Sequence, residues 1–74
     1  MTLADEVRSV RALPSPEHAR AIRRAAGVTQ VRLAEEIGVT RATINRWESG
    51  ERRPRGRLLL AYAEALAAIE SVIR

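Results

Sequence analysis

Two stretches with helical character, 30–37 and 41–48, are joined through Gly38-Val39-Thr40 alone, and a connection that short leaves few folds open. It forces the two helices to cross at a steep angle, and the crossing demands particular residues. Ala34 is small enough to let the second helix approach closely, and Gly38 supplies the backbone freedom of the turn. Leu33, Ile37, Val39, Ile44 and Trp47 are the side chains available to fill the angle. Together they predict a helix-turn-helix over residues 30–49.

The rest of the chain reads as helix as well. No segment alternates apolar and polar with period two, and Ala, Leu, Arg and Glu dominate, so the expected class is all-α. Residues 3–12 place Leu3, Val7 and Val10 on one stripe, with Thr2 as cap, before Pro14 and Pro16 interrupt. Ser15-Pro16-Glu17 restarts a helix with a capping hydroxyl, a proline at the first position and an acid in the first turn. That helix is expected to run to Ala26 and stop at Gly27. Thr29 and Thr40 cap the next two, which end at Gly38 and near Ser49-Gly50. Residues 51–56, ERRPRG, read as a loop. Leu58, Tyr62, Leu66, Ile69 and Ile73 then mark one long helix starting at Arg57 or Leu58. A chain of 74 residues allows one domain. Its expected parts are an extra N-terminal helix within 1–14, a core over 15–66, and an extension of the last helix over 67–74.

Charge separates the middle of the chain from its ends. The net charge is +4 and the sequence pI about 11.3, with all 13 basic residues arginine. From Arg20 to Arg57 there are ten arginines against four acids, a net of +6, while the remainder carries three arginines against five acids, a net of −2. A basic middle of this kind attracts polyanions. On a wheel of about 100° per residue, Arg41, Ala42, Asn45 and Arg46 share one side of the 41–49 helix, and Thr43, Ile44 and Trp47 the other. Arginine can bond guanine O6 and N7, asparagine can pair with adenine, and an alanine methyl can touch thymine, so the polar side carries chemistry that reads base edges. Arg52, Arg53, Arg55 and Arg57 follow at once and are placed to hold flanking phosphates.

Other chemistries lack their residues. Without cysteine there is no disulfide or thiolate metal site, and a reducing, cytoplasmic setting is expected. His18 is the single histidine, so no metal and no cofactor are expected. Glu35 and Glu36 are neighbours in sequence and point about 100° apart on a helix, unlike a catalytic carboxylate pair. No nucleophile motif and no glycine-rich phosphate loop is present, and enzyme activity is not expected. The longest apolar run, Leu58 to Ala63, is far too short for a membrane span.

From Ile22 to about Leu66, the segment IRRAAGVTQVRLAEEIGVTRATINRWESGERRP followed by AEAL resembles the phage-repressor and Cro-like helix-turn-helix family. The resemblance implies a compact domain of four to five helices and a double-stranded DNA partner. It makes 41–49 the recognition helix, with Arg41, Ala42 and Arg46 facing bases and Asn45 at their edge. Gln30 and Ser49 match phosphate-contacting positions, and Arg55 sits near the backbone or minor groove. Thr29, Thr40, Thr43, Arg52 and Arg53 complete the expected backbone contacts. Arg23 and Glu48 match a partly buried ion pair tying the preceding helix to the recognition helix. The implied function is a sequence-specific transcriptional regulator, a repressor on a palindromic operator; the alternative is an antitoxin that neutralises a partner toxin and represses its own operon. A homodimer on the DNA, and hence at the nucleoid, is expected. The stripe of Leu66, Ile69, Val72 and Ile73, joined by Leu3, Val7 and Val10, either forms the dimer surface or packs the two terminal helices together within one chain.

Overall fold

The computed structural model describes residues 2–73 and contains, in order, α1 (Leu3–Ala12), α2 (Pro16–Ala25), α3 (Gln30–Ile37), α4 (Arg41–Ser49) and α5 (Gly56–Ile73), with no strand among the described residues. Each start has a local chemical cause. Thr2 and Asp5 form a reciprocal capping box at α1, with Asp5 N–H donating to Thr2 Oγ1 at 3.1 Å and Thr2 N–H to Asp5 Oδ2 at 3.3 Å. Hydrogen bonding from Thr2, its backbone N–H first and its side chain second, holds the Asp5 carboxyl below its usual value. Ser15, Thr29 and Thr40 each accept a backbone N–H at the start of α2, α3 and α4. Gly38 ends α3 in the left-handed region, φ +88°, so that Gly38 and Val39 N–H both donate to the Ala34 carbonyl, at 2.8 and 3.0 Å. This is the turn that swings α4 across α3.

Two boundaries differ from the sequence reading. α2 ends one residue earlier, with Ala26 as its C-cap ahead of Gly27. α5 begins at Gly56, because the Arg55 carbonyl already accepts from Leu58 and Leu59 N–H. Met1 of the expected 1–14 segment and Arg74 of the expected 67–74 extension lie outside the described residues.

The core draws on four helices: Ala19 and Ile22 of α2, Leu33 and Ala34 of α3, Ile44 and Trp47 of α4, Tyr62 and Leu66 of α5. Leu13, Val28, Ile37, Val39, Leu58, Ala65 and Ile69 close over it. Ile44 is fully buried, and sequestering a side chain of this size stabilises the fold by about 1.5–3 kcal/mol. The Trp47 and Tyr62 rings meet at a centroid distance of 4.7 Å, tilted by 44°, locking α4 to α5. The Tyr62 hydroxyl is buried with no hydrogen-bond partner among the described residues. Burial, followed by the nearby Glu48 charge, pushes its pKa up to about 12.

α1 packs on α5, but not by the expected stripe. Ser9 is the residue of α1 that is buried, its hydroxyl donating to the Asp5 carbonyl at 2.8 Å, while Leu3, Val7 and Val10 are exposed. Leu66 belongs to the core and Ile69 covers it, so neither is free to form a dimer surface; Val72 and Ile73 remain exposed. Hydrophobicity alone groups these residues, whereas the α1–α5 contact takes the small side chain of Ser9. The radius of gyration, 11.3 Å, matches the roughly 11 Å of a compact domain of this length, so α1 is an integral layer and not a detached arm.

Candidate nucleic-acid interface

The local sequence divides α4 sharply into two sides. Ile44, Trp47 and Glu48 are buried and Thr43 half-buried, while Arg41, Ala42, Asn45 and Arg46 are exposed together on the outer side. Of the expected packing set, Leu33 and Ala34 are buried, Ile37 and Val39 half-buried, and Gly38 exposed. α4 is therefore held by its apolar side and offers its polar one.

A buried ion pair fixes how α4 sits on α2. Arg23 Nε and Nη2 donate to Glu48 Oε2 and Oε1 at 2.6 and 2.9 Å, a two-pronged contact that constrains orientation as well as distance. Arg23 Nη1 also donates to the Val28 carbonyl at 2.9 Å, tying the α2–α3 connection to the same point. Arg20 adds a second positive group, 3.5 Å from Glu48 Oε1. Burial opposes the Glu48 charge more than any other single influence. Arg23, Gln30 and Arg20 together outweigh it and hold the carboxyl below its usual value. The hydrogen bond to Glu48 raises Arg23 in turn, against the opposing effect of its burial. Both groups are charged at neutral pH.

Gln30, in the first turn of α3, extends this network to the outer side of α4. Its Nε2 donates to Glu48 Oε1 at 3.0 Å and lies 3.4 Å from Asn45 Oδ1. The side chain is thus already engaged, with Asn45 as one partner, a link that spacing alone did not reveal. Arg20 and Arg24 were also missed. Both line a shallow groove with Thr29, Gln30, Arg41 and Asn45. The available signal was their placement on α2, with Arg20 one turn ahead of Arg23. The positive N-terminal end of α3 opens beside the same groove, adding to a field that favours an anion.

A second groove runs along the other flank of α4. Arg46, Arg52, Arg53 and Arg55 line it over a floor that includes Trp47, Pro54 and Leu58. Arg57, expected with the loop arginines in holding phosphates, lies in the first turn of α5 and is exposed outside this groove. Arg46 Nε lies 4.0 Å from Glu51 Oε2 with both side chains more than half exposed, a contact weak enough to exchange for another partner. Ser49 is structurally occupied. Its hydroxyl donates to the Arg46 carbonyl at 3.1 Å and accepts from Glu51 N–H at 3.3 Å, closing the end of α4. Thr40 and Thr43 share a hydroxyl hydrogen bond of 3.0 Å at its start. Arginine-lined grooves thus flank a helix whose outer side mixes two arginines, an amide and a methyl.

Among the described residues no cluster of His, Asp or Glu could hold a metal ion, and no helix is long and apolar enough to cross a membrane. No curated protein and no solved structure matches the chain significantly. A family model described as helix-turn-helix does match, over residues 20–70, which runs from the middle of α2 through most of α5 and leaves α1 outside. The chain belongs to this lambda-repressor and Cro-like helix-turn-helix family and is a DNA-binding transcriptional regulator.

Proposed function

We propose that this regulator is a sequence-specific repressor that lays α4 in the major groove of double-stranded DNA. The observation that carries the reading is the exposed quartet of Arg41, Ala42, Asn45 and Arg46 between two arginine-lined grooves. Arg41 and Arg46 read base edges, with guanine the matched partner of each. Ala42 meets a thymine methyl. Asn45 works at the edge of the set, its carbonyl oxygen steadied by Gln30. Thr29 and Gln30 on one flank, and Thr40, Thr43, Arg52, Arg53 and Arg55 on the other, hold phosphates and fix the register of α4 without reading sequence.

One such module makes few base contacts, each good bidentate one worth about 1–3 kcal/mol of discrimination. Useful specificity therefore calls for a homodimer on a palindromic operator, with half-sites about 34 Å apart or a multiple of it. Repression follows from occluding a promoter, which needs no ligand pocket. The protein works in the cytoplasm on nucleoid DNA.

The test is fluorescence-anisotropy binding to the DNA upstream of its own gene against a scrambled duplex, over a range of salt, paired with a promoter reporter. Tighter binding to the upstream duplex that persists at physiological salt, with lowered reporter output, is expected. Equal, salt-sensitive binding to both duplexes would refute sequence-specific repression at that site.

A further inference from the structure

α1 turns its most apolar side away from the rest of the molecule. At about 100° per residue, Leu3, Val7 and Val10 form one stripe, and Asp5, Ser9 and Ala12 lie on nearly the opposite side. The second set faces α5: Ser9 is 4% exposed, and Asp5, Ser9 and Ala12 border a crevice with Ala63 and Ala67. Leu3, Val7 and Val10 are left 76%, 46% and 54% exposed. An amphipathic helix serving only its own core does the reverse.

We propose that the Leu3, Val7 and Val10 face of α1 is the contact between two copies of this chain, with the two α1 helices side by side and parallel. This rests on the dimeric reading above and specifies its surface. The stripe has the alternating spacing of a coiled-coil seam, Leu3 and Val10 at one seam position (d) and Val7 at the other (a). A β-branched residue at a with leucine at d favours two-stranded parallel pairing. The same register puts Glu6 at g and Arg11 at e, on the two edges of the stripe. Both side chains are exposed, and neither has an ion-pair partner among the described residues.

Those charges select both the occupant and its direction. In a parallel pair, position g of one helix lies beside the following e of its partner, so each Glu6 meets the other chain's Arg11. An antiparallel pair would bring g to g and e to e, setting Glu6 against Glu6 and Arg11 against Arg11. The seam is therefore complementary to a second copy of itself in one direction. Asp5 and Arg8 are 2.9 Å apart within the chain, and their mutual pairing leaves the edge charges for the partner. A helix of ten residues is only about 15 Å long, short of what a standard-sized interface needs. The contact is accordingly weak in free solution and is consolidated when both chains occupy one DNA.

Sedimentation equilibrium of the full chain at low salt, without DNA, up to about 500 µM, tests it in the range where weak association is measurable. The wild type is expected to form dimers. Glu6→Arg or Arg11→Glu should each raise the dissociation constant roughly ten-fold, because attraction becomes repulsion at both reciprocal contacts. The double variant Glu6→Arg/Arg11→Glu should return to within about three-fold of wild type, since it restores both pairs. Val7→Ser should abolish the dimer. Far-UV circular dichroism and binding to a single half-site duplex check that each variant folds. A wild type that stays monomeric, single variants that dimerise unchanged, or a double variant as weak as the singles would each overturn the proposal. No DNA enters the sedimentation measurement, so its failure leaves the repressor reading standing, and failure of the repressor reading leaves the dimer constant measurable.

Discussion

Trp47 and Glu48 are adjacent in sequence and both buried, one on apolar contacts and the other on charged hydrogen bonds, so they fail in different ways when altered. Trp47→Ala removes the ring that meets Tyr62 and should cost about 3–5 kcal/mol, read as a loss in urea-unfolding stability large enough to threaten folding. A stable variant would mean the ring contributes little. Tyr62→Phe should act oppositely. It deletes a buried hydroxyl that has no partner among the described residues, so stability should hold or rise by about 1 kcal/mol in the same assay. Glu48→Gln leaves Arg23 buried without its counter-charge and should destabilise by about 3–5 kcal/mol. The folded pKa of Glu48 lies below its unfolded value, so its contribution is complete above the unfolded carboxylate range and is lost as pH falls through the folded value. Wild-type stability should accordingly fall on acidification below about pH 4.5, and Glu48→Gln should flatten that part of the profile. A parallel decline in both proteins would remove Glu48 from the acid response.

Whole elements were more legible than their partners. Capping hydroxyls, the prolines and the left-handed glycines are local signals, and four of the five helix starts follow from them directly. The α3–α4 turn was readable for the same reason, since Gly38 and the short connection fix it without distant contacts. The α1–α5 contact was not readable. Hydrophobicity marks Leu3, Val7 and Val10 as the side to bury, yet close helix approach favours Ser9 and Ala12 against Ala63 and Ala67, and nothing within α1 alone announces that. The Gln30 link to Glu48 and Asn45 also escaped, because it joins two helices through flexible side-chain ends. At this scale the proposed interface separates into two behaviours. Arg41→Ala and Arg46→Ala should each relax base preference at one operator position, at about 1–3 kcal/mol per position. Arg55→Ala should weaken all sequences about equally and reduce the salt slope by about one. Competition binding with single-base operator variants distinguishes these, and uniform losses for all three substitutions would remove Arg41 and Arg46 from readout.

At the scale of the molecule, four helices form a core that presents α4, and α1 adds a layer whose outer side is apolar. The concentration of arginine between residues 20 and 57 then falls largely around α4, in grooves on either flank. Such a charge distribution alone would bind any DNA, with affinity that collapses as salt rises. What separates a specific repressor from a basic module is the exposed quartet on α4, so the decisive measurement is binding-site selection. Randomised duplexes would be selected at physiological salt with the wild type and, in parallel, with Arg41→Ala and Arg46→Ala. One enriched, two-fold symmetric motif is expected for the wild type, with a different position losing its base preference in each variant. Recovery of no motif, or of the same motif from all three proteins, would mean that α4 does not read sequence through Arg41 and Arg46.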